Sequence, residues 1–279
     1  MPITEPNLEG MLRLLRDRQA PHLDAVINQL ALMADPDIEA LARRASAAPA
    51  AVRDNLARAR VRAAFVRLNQ AWADLAAFKD PPLEAGLILL ARTRDDDAEG
   101  RIRGGLDSLA QRASAGLAGD RAFDTGLAHL ARVLNESGFA GNREEYDTPD
   151  NSYMHRVVET RRGIPISLCC VAILVGRRLD LPVHGIAAPG HFLGFYGDAE
   201  LGHGTCFDPF AGFSRMTSGE VSALHVRFAP GLAPLTRVVA ASDRAILART
   251  IRNLVQAHGS RKDVERAQCL GRWLAKLGA

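Results

Sequence analysis

Arg162-Gly163-Ile164-Pro165-Ile166-Ser167-Leu168 is the stretch from which the fold can be worked out. Proline has a fixed φ and no N–H, so it fits the first turn of a helix, where that N–H would have no partner anyway. The spacing predicts an apolar helix opened by Gly163-Ile164-Pro165, running through Leu179 and stopped by Leu181-Pro182. Its longest apolar run, Ile166 to Gly176, ends at Arg177-Arg178. Crossing a bilayer takes about 20 residues, so the run reads as a buried helix and no membrane partner is expected.

Downstream the pattern changes. Val183–Ala187, His191–Tyr196 and Thr205–Phe210 are predicted strands, and Gly197-Asp198 and Gly202-His203-Gly204 are turn material between them. Thr217-Ser218-Gly219-Glu220 has the spacing of a capping box and predicts a short helix. Ser242 or Asp243 is expected to cap a helix through His258, with Gly259 closing it. A last helix, capped within Ser260–Asp263, reaches Leu277. These two make a helical hairpin of the tetratricopeptide kind, without the repetition of an array.

Upstream the chain is rich in Ala, Leu and Arg and reads as helices. Leu23, Val26, Ile27 and Leu30 repeat at three and four, up to a break at Ala34-Asp35-Pro36-Asp37. Ile38–Ala45, Val52–Phe78, Leu83 to about Arg92, Ala98–Leu117 and Arg121–Glu136 follow, and Gly138 is a natural C-terminal stop. A further helix is expected over Tyr153–Thr160. The domain reading is a helical region over 1–137, a core over 138–230 and a hairpin tail over 231–279.

Composition narrows the function. The 279 residues hold 35 basic and 32 acidic side chains, a net charge of +3, which lacks the basic excess of a nucleic-acid binder. With 47% apolar and 24% charged residues the chain is an ordinary folded one. Its four cysteines include the adjacent Cys169 and Cys170 and no CxxC, which excludes the usual zinc-ribbon and thioredoxin patterns. The first residues carry early acids and no apolar signal core, so a cytoplasmic location is expected.

Chemistry concentrates in three pieces: Gly163–Leu168 at a helix start, Pro189-Gly190-His191-Phe192 entering a strand, and Phe207-Asp208-Pro209-Phe210 leaving one. Papain-like and transglutaminase-like hydrolases have this order. The nucleophile sits at a helix N-terminus, where free N–H groups lower a thiol pKa and hold an oxyanion. A strand His acts as base and an Asp orients it. The spacing of seventeen from His191 to Asp208 suits adjacent antiparallel strands joined by a loop.

These motifs, with Leu83–Arg92, Gly138–Asn142, Asn151-Ser152-Tyr153 with Val157, and Arg252-Asn253-Leu254, resemble the transglutaminase-like superfamily and, within it, the bacterial SirB-type proteins. The resemblance covers Leu83 to the C-terminus and implies an α+β, mainly helical fold. That fold has a papain-like core with a short antiparallel sheet, a helical N-terminal region and a hairpin tail. One departure is decisive. The active enzymes have a cysteine two residues after the glycine, and here that position is Pro165.

Each candidate also has a plainer role. His191 and Asp208 read as the inherited base and its orienting carboxylate, against a solvated strand histidine and a turn carboxylate. Ser167 is a candidate or vestigial nucleophile, and more simply a first-turn hydroxyl bonding helix N–H groups. Cys169 and Cys170 read as core thiols. Cys206 shares a strand face with Asp208 and could reach the cleft, although without a helix dipole. Asn151, Tyr153 and Pro165 are candidate cleft-lining residues; for Asn151 the alternative is a cap. A metal site from His191, His203, Cys206 and Asp208 has irregular spacing, and neither metal nor cofactor is expected. The chain therefore reads as a non-catalytic transglutaminase-like protein that binds a protein or peptide partner, or regulates, through its His191/Asp208 cleft. A hydrolase or acyl transferase using Ser167 or a relocated thiol is the alternative, and a helical protein-interaction scaffold is a third reading.

Overall fold

Pro165 does open a helix, and the other elements pack around it. A computed structural model describes residues 10, 12–16, 22–33, 35–117, 123–188, 190–228 and 239–278. Ala34, Arg121, Pro189 and the proposed boundary at 230 lie outside them. The helices α1 (Leu23–Ala31), α2 (Asp35–Arg44), α3 (Ala50–Ala77), α4 (Leu83–Arg92), α5 (Ala98–Ser114) and α6 (Phe123–Glu136) come first. Then follow β1 (Ala140–Gly141), α7 (Met154–Thr160), β2 (Arg162–Gly163) and α8 (Pro165–Arg178). The strands β3 (Val183–Ala188), β4 (His191–Asp198), β5 (His203–Asp208) and β6 (Ser214–Met216) precede α9 (Ser218–Phe228), α10 (Asp243–Ser260) and α11 (Val264–Lys276). The fold is mainly helical α+β. β3 to β6 form an antiparallel meander in chain order, and β1 pairs with β2 in parallel.

Local chemistry explains most element ends. Gly138 takes the left-handed conformation past α6, at φ 88°. Thr217 and Glu220 exchange the capping-box bonds that start α9. β5 stops at Asp208, two residues before the expected end, because Pro209 has no N–H for the ladder and opens a 3-10 turn. β4 continues to Asp198, whose Oδ1 accepts the N–H groups of Glu200 and Leu201. Gly259 does not close α10. The helix reaches Ser260, Lys262 takes a φ of 61°, and Asp263 caps α11 by accepting the N–H of Arg266.

The main apolar cluster runs from Phe65 to Leu277 and draws on all three segments of the sequence reading. It buries α8 between the helices and one sheet face, represented by Phe192, Tyr196 and Phe207. A second cluster, Leu15 to Ala63, lies under α1 and α2. A third holds Ile186, Leu193, Phe195 and Cys206 on the other sheet face, against Val221 and Leu224 of α9.

The tail is part of this core. Trp273 of α11 stacks on Trp72 of α3 with ring centroids 4.5 Å apart, and the Trp72 Nε1–H donates to the Trp273 carbonyl at 3.0 Å. Leu247 of α10 fills the space above Gly86, where an added Cβ would stand 2.5 Å from it. Asp243 accepts the Leu83 N–H at the start of α4 and holds Arg177 of α8 through two bonds. Truncating Trp273 to Ala should therefore cost about 3–5 kcal/mol, read as a lowered urea midpoint. A loss below about 1 kcal/mol would show that the tail is not integral to the core.

Candidate functional site

Pro165 occupies the first position of α8, after an extended Ile164 at φ −96°, ψ 168°. The Ser167 hydroxyl turns back on this start. Its Oγ accepts the Ile164 N–H at 3.0 Å and donates to the Ile164 carbonyl at 3.0 Å, with the residue 2% exposed. This is the plainer of the two roles read from the sequence. The Ile164 N–H is engaged and residue 165 has none, so two amides that could face an oxyanion are absent from this helix start.

His191 begins β4 after the positive-φ Gly190, and Asp208 ends β5. The register sets Asp208 across from Leu193, so it reaches His191 diagonally. His191 Nε2 lies 3.2 Å from Asp208 Oδ1, within ion-pair reach but without the alignment of a formed hydrogen bond. The same Oδ1 accepts the N–H groups of Phe210 and Ala211 at 2.8 and 3.3 Å. Burial alone would raise the Asp208 pKa, but His191 and these amides hold it below the ordinary carboxylate value. The side chains are 13% and 18% exposed. The two predicted strand residues are thus brought together. A base also needs a nucleophile within hydrogen-bond reach, and Ser167 bonds only its own helix start.

The thiols are equally engaged elsewhere. Cys169 is fully buried with Sγ 3.6 Å from the Leu193 carbonyl, and burial pushes its pKa well up. Burial takes Cys170 to about 12 and Cys269 to about 11, and raises Cys206 within the third apolar cluster. Reactive thiols are exposed and shifted the other way. Among the described residues no three of His, Cys, Asp and Glu gather as a metal site requires.

Asn151 and Tyr153 do not contact the His191–Asp208 pair. Asn151 is a buried loop clamp: its Nδ2 donates to the Glu145 and Tyr146 carbonyls and its Oδ1 accepts from Asn142. Tyr153 is wholly buried against the tail, its hydroxyl 3.0 Å from His258 Nε2. His258 Nδ1 lies 3.1 Å from Asp263 Oδ2. The carboxylate can only accept, so Nδ1 carries the proton and Nε2 accepts from Tyr153. The sequence marked Asp263 only as a cap. The sign of a larger role was His258 five residues before it, across the turn between the two helices.

The class of protein is now defined: a mainly helical α+β fold with a His–Asp pair at the ends of adjacent strands and a proline at the first position of its central apolar helix. The family model described as the transglutaminase-like superfamily matches residues 101–252, and the chain belongs to that family. A UPF0162 protein of Xylella fastidiosa strain Temecula1 is 33% identical over 218 residues, covering 73% of this chain and 75% of its own length. A UPF0162 protein of Pseudomonas aeruginosa is 31% identical over 69% of this chain and 70% of its own. F-box only protein 21 of Mus musculus is 44% identical over 61 residues, 22% of this chain and 10% of that protein. No solved structure gives a significant match.

Two buried histidines set a pH dependence. Burial lowers His155 to about 4, with Asp95 and Glu159 pulling up and Arg94 and Arg101 adding to the fall. Burial likewise lowers His258 to about 4, helped by Arg266 and Arg94 and opposed by Asp263. Between about 4 and the unfolded value near 6.5 the unfolded chain binds protons that the folded chain does not. Stability is therefore full above about 6.5 and falls toward pH 4, by at most about 3 kcal/mol per pH unit for two protons. Urea midpoints at pH 7.5 and 5.0 check this, and His258→Gln should remove about half of the slope.

Proposed function

We propose that this protein acts by binding, not by acyl transfer, and that the partly exposed His191–Asp208 pair is its recognition point for a protein or peptide partner in the cytoplasm. The observation that carries the reading is Pro165 where the enzymes place their cysteine. Three more support it. The Ile164 amide is taken by Ser167. All four thiols are buried. Burial raises the pKa of each. The short match to one tenth of F-box only protein 21 fits a core that can serve inside a larger protein. The competing reading, a hydrolase using Ser167 with His191 and Asp208, is favoured by the retained 3.2 Å contact between His191 and Asp208. It requires Ser167 to release both of its bonds to Ile164.

Labelling separates the two. In the folded full-length chain, iodoacetamide and a fluorophosphonate should leave Cys169, Cys170, Cys206 and Ser167 unmodified, and the thiols should react only in denaturant. Modification of one of these residues that His191→Ala abolishes would establish the hydrolase instead.

A further inference from the structure

A groove of about 590 Å³ lies where α1, α3 and the last helix α11 meet, apart from the strands that carry His191 and Asp208. Phe65 and Trp273 form a buried apolar floor, and Val66, 41% exposed, extends it outward. Arg272 and Lys276 stand on the α11 side, four residues and so about 6 Å apart on one helix face.

These two cations are unlike the other charges lining the groove. Arg62 is engaged by Glu265, and Asp24 by Arg58 and Arg62. Among the described residues no carboxylate pairs with Arg272 or Lys276. Arg272 rests on the Cys269 sulfur at 2.9 Å and Lys276 on Asn69 Oδ1 at 2.7 Å. The amides complete the picture. Asn28 Oδ1 accepts from Arg62, and Asn69 Oδ1 accepts from Lys276. Both partners are donor-only, so the contacting amide atoms must be oxygens and the NH₂ groups are left over. Gln268 also lines the groove, and Asp24 does so with its charge answered by Arg58 and Arg62, so the groups left unanswered by an opposite charge are two cations, beside two amide donors, above an apolar floor. It is built for acceptors that carry negative charge.

We propose that this groove binds an acidic peptide segment of a partner protein, with two carboxylates on Arg272 and Lys276 and a neighbouring apolar side chain on Val66 and Trp273. Alternate residues of an extended peptide stand about 7 Å apart, which matches the spacing of the two cations. The site is independent of whether the His191–Asp208 pair binds or catalyses.

Fluorescence anisotropy with the full chain tests it. The probes are a fluorescein-labelled Asp-Ser-Asp-Ser-Leu peptide, its amide twin Asn-Ser-Asn-Ser-Leu, and a dT oligonucleotide. The acidic peptide should bind in the micromolar range, and the amide twin at least roughly tenfold more weakly. The Arg272→Glu, Lys276→Glu double variant should lose at least roughly tenfold in affinity for the acidic peptide. Both substituted side chains are exposed, so the variant should melt with the parent, and His191→Ala should bind the peptide unchanged. Equal binding of the two peptides, binding unaffected by the double variant, no binding below about 1 mM, or preference for the oligonucleotide would each overturn the proposal.

Discussion

Glu265 is 4% exposed, and a carboxylate withdrawn from water must be neutralised or closely paired. Arg62 meets it with two bonds of 2.7 and 2.9 Å and Arg58 with a third of 3.2 Å, both from a helix some two hundred residues earlier. This geometry fixes α11 along α3 and brings the two tryptophans into register. With α11 seated, α10 lies against the core, where Asp243 supplies an acceptor to the start of α4 and a counter-charge to Arg177 of α8. The placement of the central helix thus leads back, through three contacts, to one buried charge. Removing an arginine partner would leave that charge stranded, which costs more than the pair itself contributes.

The start of α8 uses the same backbone physics as a thiol hydrolase for a different end. In such an enzyme the unpaired amides at a helix N-terminus attract an anion and sharpen a nucleophile. Here Pro165 removes one amide and the Ser167 hydroxyl occupies the one before it. What remains is a well-capped helix, buried from Pro165 to Gly176. His191 and Asp208 still meet at the ends of adjacent strands, and the turn amides of Phe210 and Ala211 hold the Asp208 carboxylate in place.

The elements legible in the sequence are those written locally. Pro165 at a first turn, the Thr217–Glu220 box, the Gly138 stop and the alternation in β3 to β5 each follow from a few neighbouring residues. Joining His191 to Asp208 also needed only strand adjacency. The missed features depend on distant chain. β6 is three residues, Ser214–Met216, with no apolar alternation, and β1 pairs with β2 through two residues each. Tyr153 looked like a cleft residue because it precedes the nucleophile-equivalent helix, but the tail claims it. Glu265 is not among the residues that the sequence motifs single out. Its spacing of four and eight from Cys269 and Trp273 places it on the apolar face of α11, and that spacing was the available sign.

The hairpin has a further consequence for how the protein is made. Trp72 and Trp273 are 201 residues apart in sequence, and α10 and α11 are the last of these elements to leave the ribosome. Until they emerge, one flank of α3 and the space above Gly86 have nothing to bury them. A nascent chain halted anywhere before α10 would thus carry an open apolar flank, the kind of surface that recruits chaperones or proteases. The core closes only once α10 and α11 have been made, so a copy halted before them is marked by its own exposed surface.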